Sequence, residues 1–204
     1  MNKILSLACF ILATSSPTFA ALIDRDSGLI YDDVLDITWL QDANFSKTSG
    51  HNSTGLLTWS EAIEWAEDLT YLDATNWRLP SVGEPQIVGY NQSTSELGHM
   101  FYNNLGLTAS QSVAQNQGPF VNLKTYRYWF DESLSSSEQY AWSMEMWKGY
   151  QTTRLKAETA FAWAVHDGDI GNPNFVTSVP IPSSLYFFAS GITGLLITKK
   201  KIIK

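Results

Sequence analysis

Beyond residue 20 the chain contains no cysteine; the single one, Cys9, lies in its first apolar stretch. No disulfide can staple the rest of the fold, and no thiolate is available there as nucleophile or metal ligand. Such a domain stands on its apolar core alone, and about 160 residues is enough chain to build one. All eight tryptophans lie between Trp39 and Trp163, so bulk for that core is plentiful.

The two ends read as addresses. Lys3 precedes the apolar run Ile4–Ala13, and Thr18-Phe19-Ala20 places small residues where a signal peptidase requires them. Residues 1–20 are expected to be a secretory signal, cleaved after Ala20. At the other end Val179-Pro180-Ile181-Pro182 precedes an apolar stretch, Ser183 to Thr198, and the basic tail Lys199-Lys200-Lys201-Ile202-Ile203-Lys204. Sixteen helical residues reach roughly 24 Å against a hydrocarbon core of about 30 Å, a short transmembrane segment with its basic end cytoplasmic. Between these signals, residues 21–182 carry eight basic and twenty acidic residues, a net of -12. That sign argues against nucleic acid and anionic polymers, and no local basic patch is visible in the sequence.

The middle, 21–178, is expected to be one domain. Leu22-Ile23-Asp24 and Gly28 to Asp33 read as strands joined by a turn near Asp26-Ser27-Gly28, and Ile37-Thr38-Trp39-Leu40 as a third. Lys47 to Gly55 reads as a polar loop. Thr58-Trp59-Ser60-Glu61 is a capping box opening a helix whose apolar face is Trp59, Ala62, Ile63, Ala66 and Leu69. A second helix is expected over Ser95–Asn104, stopped at Gly106. Beyond Pro119 the period changes to two: Tyr126 to Asp131, Tyr140 to Trp147 and Ala160 to Val165 read as strands. Two helices followed by a strand-rich half make an α+β domain.

Several motifs carry a resemblance. Leu29-Ile30-Tyr31-Asp32-Asp33 through Ile37–Asn44, Thr58-Trp59 with Ala62 and Trp65-Ala66, Trp77-Arg78-Leu79-Pro80, Glu96-Leu97, Tyr128-Trp129 and Ala162-Trp163-Ala164-Val165 occur in order. Together they resemble the DUF1566, or Lcl C-terminal domain, family. The resemblance implies kinship with the C-type-lectin-like and formylglycine-generating-enzyme folds, two helices flanking small twisted antiparallel sheets. It implies no chemistry, since the latter enzymes rely on cysteines. Where the family ends its last strand in Arg-Pro-Gly-Asp, this chain has His166-Asp167-Gly168-Asp169. The Lcl relative is associated with sulfated glycans, a poor match to the -12 segment. The tail resembles the PEP-CTERM type of sorting signal in its Val-Pro-Ile-Pro variant, with Pro180 and Pro182 as sorting residues and Ile181 where the name-giving motif has glutamate. That resemblance implies an exosortase-like sorting enzyme, the export machinery as partner, and the outer envelope or extracellular matrix of a Gram-negative bacterium, reached through an inner-membrane-anchored intermediate.

Candidate site residues follow from chemistry. Trp129, Trp142 and Trp147, with Tyr128, lie beside polar residues in the strand-rich half and would stack on sugar rings if they line a groove; the alternative is interior packing. Trp77, Arg78 and Pro80 are read as structural, the guanidinium pairing a carboxylate or tying a loop. Asp24, Asp26, Asp32 and Asp33 are an oxygen-rich set that calcium favours, though their spacing does not fit an EF-hand loop. His51, His99 and His166 lack metal-ligand spacing. No nucleophile elbow, phosphate loop or dinucleotide fingerprint is present. Glu96, Glu145 and Asp131 are the carboxylates to inspect for glycoside hydrolysis, whose requirement is spatial. The expectation is a non-catalytic module binding a neutral or cationic glycan or another matrix component, against a purely structural matrix protein or a hydrolase.

Overall fold

The computed structural model describes residues 22–172. The expected signal at 1–20 and the tail, with Pro180 and Pro182, lie outside the described residues. Among those described, no helix is long and apolar enough to cross a membrane.

The domain is α+β, with two small sheets. The first has the order β1-β2-β3-β9, all antiparallel, from β1 (Leu22–Asp24), β2 (Leu29–Asp32), β3 (Ile37–Leu40) and β9 (Val165–Asp167). Its turns are made by aspartates. Asp24 Oδ1 accepts the Asp26 amide at 2.8 Å, and Asp32 Oδ1 accepts the amides of Val34 and Leu35 at 3.1 Å each. Short carboxylates that bond the backbone two or three residues on are a common turn device. All four residues of β3 are buried, so this strand is covered on both faces.

The second sheet runs β4-β8-β5-β6-β7: β4 (Leu56–Leu57), β8 (Ala160–Phe161), β5 (Arg127–Ser133), β6 (Tyr140–Glu145) and β7 (Tyr150–Leu155). Only the β5–β8 pair is parallel, and β5 bulges between Trp129 and Ser133. The run Ala160–Val165, expected as one strand, is divided between the sheets. β8 ends at Phe161, and Ala162-Trp163-Ala164 carries the chain across to β9. β7 was not expected, because Tyr-Gln-Thr-Thr-Arg-Leu has no apolar alternation; it forms an edge strand paired along its length with β6.

Helix α1 (Phe45–Thr48) is a single turn whose second half, Lys47-Thr48, falls in the stretch expected to be a polar loop. Helix α2 (Trp59–Glu67) begins at the capping box, where the Glu61 carboxylate accepts both the amide and the hydroxyl of Thr58 at 2.8 Å. Helix α3 (Glu96–His99) is capped by Ser95, whose hydroxyl oxygen accepts the Gly98 amide. It then widens into a π turn, Met100–Asn104, with the Leu105 amide reaching back to the Met100 carbonyl at 2.9 Å. The expected second helix is therefore present in extent and different in type. The wider turn leaves Asn104 Nδ2 bonded to the fully buried Asp32 at 2.5 Å.

Trp163 is the centre of the core. Its ring meets Trp39 at 4.6 Å, Phe120 at 4.7 Å and Tyr128 at 5.9 Å, and its indole N–H donates to the Leu40 carbonyl at 2.7 Å. Replacing it leaves a cavity and a carbonyl without its donor. Trp163→Ala should cost about 3–5 kcal/mol, read as a lower urea midpoint at unchanged slope; a midpoint within error of wild type would show that the core collapses to fill the space.

Candidate functional site

The strand-rich half builds an aromatic groove at the start of β5. Tyr126 precedes the strand and is 38% exposed. Its carbonyl accepts the Met146 amide at 2.9 Å, which fixes it beside the β6–β7 turn. Its ring lies 6.0 Å from both Trp147 and Phe161, tilted on the first and edge-on to the second. Leu56, Lys124 and Thr125 complete an open groove of about 320 Å³ with Tyr126 and Phe161. Gly149 makes the neighbouring turn possible. Its φ is +74°, and a Cβ there would lie 2.5 Å from the Phe101 ring.

Cations gather around these rings. The Arg127 guanidinium lies 5.2 Å from the Tyr126 ring centre and 5.7 Å from that of Trp147. Lys148 Nζ lies 4.6 Å from the Tyr150 ring and 2.7 Å from the Glu145 carboxylate. Arg154 Nη2 donates to the same carboxylate at 2.7 Å, and Arg127 Nη1 to Glu158 at 3.2 Å. Glu145 is thus a buried anion among three cations. Five of the eight basic residues between 21 and 182 (Lys124, Arg127, Lys148, Arg154 and Lys156) come from this half of the chain. The fold brings Arg127, Lys148 and Arg154 together from β5, the β6–β7 turn and β7, each paired to Glu145 or Glu158.

The other candidates are placed differently. Tyr128 and Trp129 are fully buried and Trp142 is 2% exposed, so none of the three offers a ring to solvent. The Trp129 indole N–H donates to the Leu57 carbonyl at 2.9 Å, and the Tyr128 hydroxyl accepts the Lys124 amide at 2.8 Å. The reason is that β5 and β6 are covered on both faces, so alternation along them marks no wet side. Trp147, at the turn, remains half-buried. Asp24 and Asp32 accept backbone amides in the turns, and among the described residues no group of three or more His, Cys, Asp or Glu is arranged to hold a metal ion.

A second polar cluster is built on Trp77–Val82. Trp77 is buried and donates to the Ala74 carbonyl at 3.1 Å. Arg78 grips Glu96 in a bidentate pair, 2.8 Å on each arm, and Asp167 at 2.7 Å. Its backbone exchanges two 2.9 Å hydrogen bonds with Val165. The Pro80 carbonyl accepts the Asp131 amide, and Glu132 takes the Ser81 hydroxyl at 2.5 Å and the Val82 amide at 2.8 Å. Of the three carboxylates singled out for hydrolysis, Glu96 and Asp131 share this cluster and Glu145 lies in the cationic one. Burial pushes the Asp131 carboxyl up to about 8, and a hydrogen bond with Glu132 and its charge add to that, against the pull of Arg78.

The sequence signature of the Lcl C-terminal domain matches residues 28–166, from the Gly28 turn to β9. The chain belongs to the Lcl C-terminal domain family. No curated protein and no solved structure matches it. Within this Lcl domain, sequence reasoning reached Trp147 but passed over Tyr126, Arg127, Lys124 and Phe161. The available signal was local: Lys124-Thr125-Tyr126-Arg127 and Trp147-Lys148 interleave aromatic and basic residues in an otherwise acidic chain.

Asp131 gives a pH test. Its folded pKa is raised, so its contribution to stability is complete below its ordinary value of about 4 and is lost as pH rises toward about 8. Asp131→Asn, neutral throughout, should flatten the fall in unfolding free energy across that window in urea melts. Parallel profiles for variant and wild type would contradict the assignment.

Proposed function

We propose that this is an exported, envelope-associated, non-catalytic module that binds carbohydrate through the Tyr126 groove. The observation that carries the reading is the exposed Tyr126 ring, flanked by Trp147 and Phe161, beside an open groove whose polar wall is Lys124 and Thr125. Sugar rings present apolar faces to aromatic platforms and hydroxyls to polar neighbours, and sites of this kind are concave with few polar groups. The net charge of -12 favours neutral or cationic glycans overall. The kinship with C-type-lectin-like folds belongs to this reading, supported by two small sheets with short helices.

Export and sorting rest on sequence alone: residues 1–20 as a cleaved leader, and 179–204, with Pro180 and Pro182, as a PEP-CTERM-type signal handled by an exosortase-like enzyme. The destination is the outer envelope or matrix of a Gram-negative bacterium. A secreted reporter fused to residues 179–204 should stay with the envelope fraction; free release of the uncleaved fusion would rule the anchor out.

Binding is tested by affinity electrophoresis of the full chain against dextran and against cello-, chito- and polygalacturonate oligosaccharides. Retention by at least one is expected. Tyr126→Ala and Trp147→Ala should each weaken it at least tenfold, while Val34→Ser, at an exposed residue of the β2–β3 turn, should leave it unchanged. Folded protein that no panel member retards would defeat the carbohydrate reading.

A further inference from the structure

Resting on the carbohydrate reading, we infer that the Tyr126 groove is one end of an extended track that holds several consecutive units of a linear polysaccharide chain. Two more hollows, of about 220 and 200 Å³, share Tyr71 as a common wall. The first is lined by Leu40, Gln41, Asp42, Phe45 and Val121; the second by Arg25, Ser27, Ile170 and Gly171. Ligand sites usually span about 300–1,000 Å³. Neither hollow reaches that alone, so each suits a single unit of a longer ligand, with Tyr71 standing between them.

Tyr71 is held in place rather than left loose. Its hydroxyl donates to the Ser27 carbonyl at 2.7 Å across Gly28, where a Cβ would lie 2.5 Å from that hydroxyl. Phe45 meets its ring edge-on at 5.2 Å. The turn that presents it, bridged between Tyr71 and Ala74, keeps Leu72 and Asp73 at φ of +50° and +64°. Left-handed backbone is uncommon at a leucine and persists only where surrounding structure fixes it.

The segment 121–126 joins these hollows to the Tyr126 groove. Val121 lines the first hollow and Lys124, three residues on, lines the groove, so their Cα atoms are at most about 11 Å apart. Both ends of the link are fixed: the Val121 amide and carbonyl bond Gln41 and Ala43 at 2.9 and 3.0 Å, and the Lys124 amide bonds the Tyr128 hydroxyl. Between them Asn122 is exposed and donates to Asp42 Oδ2 at 3.0 Å, and Thr125 is exposed beyond Lys124. Aromatic platforms at Phe45–Tyr71 and at Tyr126 are thus linked by amide, carboxylate and hydroxyl groups. That sequence of surfaces suits alternating sugar faces and hydroxyls along a chain, and exceeds what one terminal sugar would occupy.

The test is a length series with the full chain, using two-, four- and six-unit oligomers of each panel sugar in calorimetric titrations. Affinity should rise at least tenfold from two units to six. Tyr71→Ala should remove that gain and leave two-unit binding at Tyr126 intact. Val121→Arg, at an exposed position, should do the same without touching the core, and circular dichroism checks that both fold. Affinity independent of length, or six-unit binding unchanged in folded Val121→Arg, overturns the extended track while leaving the carbohydrate reading in place. No binding at any length overturns both.

Discussion

One tryptophan crossing between two sheets holds the domain together. Trp163 sits where the chain leaves β8 and enters β9, flanked by Ala162 and Ala164, both fully buried. Small neighbours let the backbone pass between the layers, and the Ala164 carbonyl accepts the Leu40 amide at 3.2 Å on the way. With no disulfide available, Trp163 packs on Trp39 of β3 and on Tyr128 of β5 at this crossing, so it touches both sheets. The groove depends on it too, because the parallel pairing of Tyr128 with Phe161 sets Phe161 edge-on to Tyr126.

Much of the fold was legible where a local rule and the tertiary environment agree. The box at Thr58–Glu61 begins a helix because capping is settled within four residues. The aspartate turns around Asp26 and after Asp32 are equally local. Where tertiary pairing decides, the sequence spoke less clearly. Ala160–Val165 is uniformly apolar, so nothing along it marks the point where β8 gives way to β9. β7 is polar throughout, and its Gln151 is buried only because Gly89 pairs with it and the Ile87 carbonyl accepts its side chain. The site was legible in part. Alternation around Tyr128 and Trp129 suggests one wet face, but both faces of that strand are covered, and the accessible rings fall at its margin, at Tyr126 and Trp147.

Charge illustrates how folding redistributes what composition averages. A chain with twelve more acids than bases between its terminal segments still draws three cations together, because Arg127, Lys148 and Arg154 converge on one buried glutamate and Arg127 also meets Glu158. Elsewhere the basic residues are spent singly: Arg25 on Asp169, and Arg78 on Glu96 and Asp167. Arg78 ties the segment before the Pro80 loop to both α3 and β9. Arginine suits that post, since its planar fork binds one carboxylate with two arms and leaves a donor for the next.

The pairing of β3 with β9 also sets an order of events for a newborn chain. The Thr38 hydroxyl bonds the Gly168 carbonyl, a partner 130 positions later. A polypeptide emerging from its amino end can close the β1–β2–β3 meander early, yet its third strand keeps a raw edge until almost the entire domain has been made. Distant partners of this kind slow folding, because a long loop must close before it is rewarded. Until β9 arrives, the first sheet is left one strand short, and β3 keeps its unpaired backbone groups open to water.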